Sequence, residues 1–428
     1  MGVYRYQSKN PENYLAVLDM VKKEIWILLF CLFLVMIGYG LTLPILPFLV
    51  EKAAGSNELL GLSPALHVGL MTGIFPLMQF VAAPLWGRWS DRIGRSPVLA
   101  AGMGGYALSL IFFGWTQDLV LLYTFRVAGG LFSASVLPTV NSWVTDLSPV
   151  TNRGKVLAWT GGSASLGVIF GPVLSSFFMD VDWFGRWSWK LLAANIYTAP
   201  FLIAGGFSLL ALAAVLLWLP YRQPSVDSVV DHQKVSSWSM IKGKMLPILI
   251  YALIAQGALS MFESTFALHA QQILGYSVQE MGFIFMACAL GMSISQIGLT
   301  GFLIDRWGEE RLLPVGYLLA GLALVLLMFV NAFALIITVV LILALGMALI
   351  TPGLASLTSK ISNQRVGERM GLLASISSLG LAAGSFLGAG LYALNIHLPY
   401  FFFAILTLIV PIYIIRRYLQ HPKGVSLP

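Results

Sequence analysis

The sequence predicts an all-α membrane protein, with twelve transmembrane helices in two pseudo-symmetric bundles of six. Three observations carry this prediction. Of 428 residues, 58% are apolar and only 10% are charged, whereas a soluble domain carries about 25% charged residues. Such a chain cannot cover a water-facing surface, so lipid must be its principal solvent. The apolar residues then fall into twelve runs of spanning length, and motifs in the first half of the chain return in the second.

A spanning helix needs about 20 mostly apolar residues. Besides helices, only closed barrels satisfy the backbone in lipid, and nothing here shows the alternating polarity of barrel strands. The runs lie at 25–50, 66–87, 97–116, 119–145, 155–178, 194–219, 246–268, 279–301, 312–330, 332–356, 369–393 and 398–417. The polar residues 1–24 read as a cytoplasmic N-terminal segment, with Tyr14 to Trp26 as a short amphipathic helix on the membrane surface. The first run is too long for a signal-peptide core and lacks a small-residue cleavage site, so it reads as an uncleaved span. Residues 25–219 make the first bundle and 246–418 the second. The stretch 220–245 is a polar linker without helical periodicity, and 419–428 form a tail.

Basic residues set the orientation, because they concentrate on the cytoplasmic side. With the N-terminus placed in the cytoplasm, 21 of the 25 Lys and Arg residues fall in cytoplasmic segments. Lys52, Arg186 and Lys190 fall outside, and Arg126 lies within a span. Both termini are therefore expected in the cytoplasm and the chain in the plasma membrane. Topology accounts for the net charge of +7, so no nucleic-acid partner is expected. Cys31 and Cys288 both sit inside apolar runs and imply no disulfide framework.

The chain carries none of the sequence marks of several enzyme classes. It has no G-x-x-x-x-G-K-[ST] loop, no H-E-x-x-H and no G-x-S-x-G. Its histidines (His67, His232, His269, His397, His421) fall in expected loops or at span ends. Neither an enzyme nor a metal or organic cofactor is expected.

The repeat is the most informative pattern. Gly87-Arg-Trp-Ser-Asp91-Arg92-Ile-Gly94-Arg95 follows span two, and Gly301-Phe-Leu-Ile-Asp305-Arg306-Trp-Gly308 follows span eight. Both read G-x-x-x-D-R-x-G, and the copies are displaced by half the length of the chain. Gly167-x-x-x-Gly171 on span five returns as Gly380-x-x-x-Gly384 on span eleven, at nearly the same displacement. Two independent motifs sharing one offset indicate a duplicated six-helix unit.

At these residues the chain resembles the major facilitator superfamily, most closely its twelve-helix bacterial multidrug:proton antiporters. Gly87 to Leu99 looks like the signature loop between helices two and three, with Ser96 at the usual second basic position. Arg126-Val-Ala-Gly129-Gly130 looks like the span-four motif of proton-coupled members. Gly167-Val-Ile-Phe-Gly171-Pro172 looks like the antiporter motif, with Ser175-Ser176 replacing its final glycine pair. Ser260-Met-Phe-Glu263 is similar to span seven of the multidrug branch. The acids that some members carry on spans one and ten are absent, near Val35 and across Gly346 to Pro352.

The resemblance implies a secondary transporter working by alternating access, with protons as the coupling ion and no other cofactor. It implies a monomer in contact with membrane lipids, moving a lipophilic or cationic small molecule. Asp91 would cap the N-terminus of span eleven, Arg95 would pair with Asp146, and Asp305 with Arg306 would be the second-half copy. The helices that line the cavity in this family carry Tyr39, Phe75, Gln79, Asn141, Phe262, Phe266 and Gln296 here.

The residues themselves single out two charges. Arg126 lies about six residues from the outer end of its span and Glu263 about five, which at 1.5 Å per residue puts both roughly 8–9 Å deep. Ionisable residues inside a membrane are costly and mark function. Glu263 is the one carboxylate well within a span and is the expected proton carrier, with Arg126 tuning it. The alternatives are a proton-coupled carrier of another small solute or amphipathic lipid, and a membrane sensor that does not transport.

Overall fold

The structure, a computed structural model, describes residues 11–54, 61–148, 153–178, 197–219, 245–361 and 366–420. The linker at 220–244 and the segments at 1–10 and 421–428 lie outside the described residues. Among the described residues there are helices and no strands, as a backbone deprived of water requires.

Helices occupy each of the twelve expected places. Span one is Pro11–Ala54, two Pro64–Ile93 and three Arg95–Trp115. Span four comprises Leu119–Ser133 and Val136–Leu147, and spans five and six are Arg153–Phe178 and Thr198–Trp218. Span seven runs through Met245–Met261, a π-helical turn at Phe262–Phe266, and Ala267–Gln272. Span eight runs through Val278–Ser295, a second π-helical turn at Gln296–Thr300, and Gly301–Trp307. Spans nine to twelve are Glu309–Leu326, Phe333–Lys360, Val366–Leu394 and Leu398–Gln420.

Ten of these are long and apolar enough to cross a membrane, and Leu398–Ile414 adds a shorter apolar stretch. Glu309–Leu326 opens on Glu309, Glu310 and Arg311, which dilute its apolar character. The separate surface helix expected at Tyr14 to Trp26 is instead the opening of span one, because no glycine or proline interrupts the chain there. Some span starts carry side-chain caps: Asp118 accepts from the Leu121 N–H at 2.9 Å, and Ser277 with Glu280 forms a capping box.

Each half has its own core. The first gathers residues such as Leu32, Ile45, Phe75, Tyr106 and Trp143, and the second Met261, Phe262, Tyr317, Leu343 and Tyr400. Within the halves, span five packs on span one and span eleven packs on span seven. Both contacts bring backbones together. A Cβ on Gly171 would stand 2.3 Å from the Leu41 nitrogen, and one on Gly384 would stand 2.1 Å from the Gly257 carbonyl oxygen. The glycine repeat in the sequence is thus the trace of one helix crossing built twice.

Between the halves, span two meets span eleven and span five meets span eight. Exchanging the halves converts one pair into the other. Gly69 and Gly73 face Ala389, Ser385, Phe386 and Ala382, while Gly282 faces Ser176 and Pro172. Ser176 Oγ donates to the Gln279 carbonyl across this second seam, and Gln271 donates to Glu51 at the ends of spans seven and one. All these contacts lie away from the Gly87–Arg95 turn. Toward that turn, Gly87, Gly161, Gly162 and Gly371 have no neighbour within 4 Å of where a Cβ would stand. Leu85, Trp89 and Trp159 are exposed there.

Gly171→Ala or Gly384→Ala must push two backbones apart and should each cost about 1–3 kcal/mol by overpacking. Gly206→Ala meets no atom within 4 Å and should leave stability unchanged or slightly raised. Thermal unfolding of the purified variants checks this, and equal unfolding temperatures for all three would refute the packing account.

Candidate functional site

Glu263 sits in the π-helical turn of span seven, half-buried between Phe262 and Ser264. A π-helical turn adds a residue to the helix and re-aims the side chain it carries. The Glu263 carboxylate accepts a hydrogen bond from Tyr39 Oη of span one at 3.4 Å, across the two halves. The Tyr39 ring then leans on Phe75 of span two, with centroids 5.7 Å apart. Phe75 lies under the Arg126 guanidinium, whose Cζ is 4.6 Å from the ring centroid.

Four residues expected from the sequence thus fall into one line. Arg126 and Glu263 occupy its ends and do not touch. Among the described residues they form no ion pair with each other.

Arg126 is only 4% exposed, so its charge stays inside the bundle and does not reach for the outer interface. Its Nε donates to the Met71 carbonyl at 3.0 Å, and Phe113 offers a second ring face at 5.9 Å. These partners are not legible in the sequence. A carbonyl leaves no side-chain signature, and Phe113 is one aromatic among many.

The remaining expected pocket residues disperse. Gln79 donates to Ser133 at 3.2 Å, and Asn141 accepts from Thr160 at 2.7 Å, tying span four to span five. Phe262 and Phe266 are buried in the second core, 5.2 Å apart and edge-on to Phe285. Gln296, half-buried, opens the π-helical turn of span eight.

At the turn, Gly94 has φ 101° and ψ 161°, and Gly308 has φ 75° and ψ 159°. Side chains with a Cβ rarely adopt such angles, so the repeated glycine marks a repeated backbone bend. Arg95 Nε donates to Asp146 at 3.3 Å and its Nη1 to Ser90 at 3.0 Å. Arg92 and Arg306 are exposed, and the side chains of Asp91 and Asp305 lie outside the described residues.

The second half holds a counterpart that the motifs alone do not reveal. Glu309 stands at the repeat offset from Arg95, and Lys360 at the same offset from Asp146. Glu309 accepts from Lys360 and from Ser356. The ion pair is duplicated with its polarity reversed. Applying the repeat offset to Arg95 and Asp146 finds it.

The family model of the Major Facilitator Superfamily matches residues 28–360 and again 248–427. The chain belongs to this superfamily. Among curated relatives, multidrug resistance protein 1 of Bacillus subtilis is 28% identical over 92% of this chain and 96% of its own length. The quinolone resistance protein NorA of Staphylococcus aureus is 23% identical over 89% and 92%. Among solved structures, a bacterial homologue of the human lysosomal transporter Spinster, inward-facing and occupied, aligns with TM-score 0.72 at 16% identity, covering 95% of this chain and 98% of that one. The human organic anion transporter MFSD10 aligns with TM-score 0.68 at 21% identity, covering 92% and 99%. As a major facilitator, the chain is a membrane transporter and not an enzyme.

In this superfamily member the reversed pairs predict a specific tolerance. Arg95→Glu and Asp146→Lys should each lower stability by about 0.2–1 kcal/mol, the range of exposed ion pairs. The double variant Arg95→Glu/Asp146→Lys should regain most of the loss, because the second half already uses that polarity. Thermal unfolding of the singles and the double decides it, and additive losses in the double would refute a pairwise interaction.

Proposed function

We propose that this transporter exports lipophilic, cationic drug-like compounds in exchange for protons, with Glu263 as the carboxylate that both occupy in turn. One observation carries the reading. Glu263 lies at the seam between the halves, within a span, with Tyr39 as its hydrogen-bond donor and no basic group within ion-pair distance among the described residues. Such a carboxylate is free to take a proton or to face a cation, and the two compete. Arg126 acts on it at a distance, along the line through Phe75 and Tyr39.

The names of the relatives, multidrug and quinolone resistance proteins, support export of this substrate class. The basic residues of the Gly87–Arg95 turn and of the other segments at that end support its placement in the cytoplasm. The protein is then a plasma-membrane carrier with both termini inside. Among the described residues the halves meet away from the Gly87–Arg95 turn and leave open space toward it, and with that turn in the cytoplasm this conformation suits substrate loading from within. Rocking the halves about the seams would open the outer side, where protons exchange for the released compound. The proton is the coupling ion, and a monomer surrounded by lipid is sufficient for this cycle.

In proteoliposomes with an imposed pH gradient, the wild type should move tetraphenylphosphonium against its gradient, and Glu263→Gln should abolish this. Tyr39→Phe keeps the ring on Phe75 but removes the donor, and should slow transport without abolishing it. Undiminished transport by Glu263→Gln would sink the proposal.

A further inference from the structure

The two π-helical turns differ in how they treat a threonine. In the α-helical stretches, Thr42, Thr72, Thr358 and Thr407 each donate to the carbonyl four residues back at 2.8 Å, a common way for a threonine inside a helix to satisfy its hydroxyl. Thr300 closes the turn of span eight and donates at 3.0 Å both to the Ser295 carbonyl, five residues back, and to the Ala348 carbonyl of span ten. That turn is pinned to its neighbour. Thr265, in the turn of span seven, is fully buried, and its Oγ1 has no hydrogen-bond partner among the described residues.

The cause is local. Ser264 already donates to the Ser260 carbonyl at 2.9 Å and to the Met261 carbonyl at 3.3 Å. The Thr265 hydroxyl is left facing Gly388 of span eleven, which has no side chain to offer it and whose Cβ, if present, would stand 2.9 Å away. A buried hydroxyl without a partner is costly. Rewinding residues 262–266 to α-helix removes that cost, because it gives Thr265 the Met261 carbonyl, four residues back.

Rewinding also moves what lies beyond the turn. An α-helix rotates by about 100° per residue, so taking out one extra residue turns the following segment by up to roughly that angle. Glu263, near the start of the turn, moves little. The far segment, Ala267–Gln272, takes the whole change. It carries the contacts that hold it in place: Gln271 donates to Glu51 of span one across the halves, and His269 Nδ1 lies 3.3 Å from Tyr400 Oη. Neither contact survives such a rotation.

We infer that Thr265 is a positioning residue for the transport cycle, biasing span seven toward a second state in which this turn is rewound and the far segment has let go of span one. The inference rests on the reading that the halves rock during transport, and not on Glu263 carrying a proton.

Spin labels on Lys52→Cys and Ile273→Cys, both exposed at the ends of spans one and seven, report the gap in the full-length protein, since Cys31 and Cys288 are buried. The labelled protein should show a short and a long distance. Thr265→Val keeps the shape of the side chain but has no hydroxyl to satisfy in either state. Its ratio of long to short should therefore fall roughly tenfold, the worth of one buried hydrogen bond. Thr265→Ser keeps the hydroxyl and should keep most of the long population. An unchanged or raised ratio in Thr265→Val, or an equal fall in Thr265→Ser, would overturn the inference and leave the rocking of the halves intact. A single short distance in every variant would overturn both.

Discussion

Every part of this molecule answers to one constraint, the absence of water along most of its length. A backbone N–H or carbonyl left bare in lipid costs several kcal/mol, which is why the spans among the described residues are helices joined by short turns. The same constraint removes the hydrophobic drive for helices to associate, since lipid tails are as apolar as leucine. Close packing has to hold the bundle together instead. That is why the tightest contacts run through glycine. Gly171 lies against the backbone of Gly40 and Leu41, and Gly384 against that of Gly257. The glycine pairs bring span five onto span one and span eleven onto span seven.

Duplication explains what the two halves share, and its exceptions show where they have diverged. The bend at Gly94 and Gly308 and the glycine crossings are matched in geometry. The ion pairs behind the bends are matched in place but reversed in sign, Arg95 with Asp146 and Glu309 with Lys360. An ion pair depends on opposite charges and proximity, not on which partner is the acid, so reversal conserves the contact. The acid of the reversed pair is also the more buried, with the Glu309 side chain only 7% exposed against 57% for Asp146. Arg126 has no such counterpart. Its equivalent is Val340, fully buried in the second core.

The fold was legible because its determinants are local and repeated. Span length, basic-residue placement and a motif recurring at one offset are all read along the chain. The Arg95–Asp146 contact followed from resemblance, and the line from Glu263 to Arg126 was legible as a set of residues. Its order was not. That Tyr39 would donate to Glu263 depends on the register between spans one and seven, which lie in different halves of the chain. The π-helical turn at Phe262–Phe266 was hidden for a related reason. Its extra residue is accommodated by packing against other spans, and no glycine or proline announces it. Phe262 and Phe266 look like pocket aromatics in sequence, yet that local rewinding leaves them in the core and turns Glu263 toward the seam.

The placement of Tyr39 connects these points. It belongs to span one, which the Gly40–Gly171 crossing fixes against span five, and its hydroxyl reaches a carboxylate on span seven, fixed in turn by the Gly257–Gly384 crossing. Each tight crossing makes its half a rigid body at the level of the charged residues, so the Tyr39–Glu263 bond reports the relative position of two bodies and not of two side chains. Any rocking of the halves must stretch or break it. Under the proposed cycle, protonation and cation binding at Glu263 both alter the strength of that bond, because an ionised carboxylate is the stronger acceptor. The chemistry at one side chain is thereby linked to the motion of the whole bundle through the glycines that allow no slack.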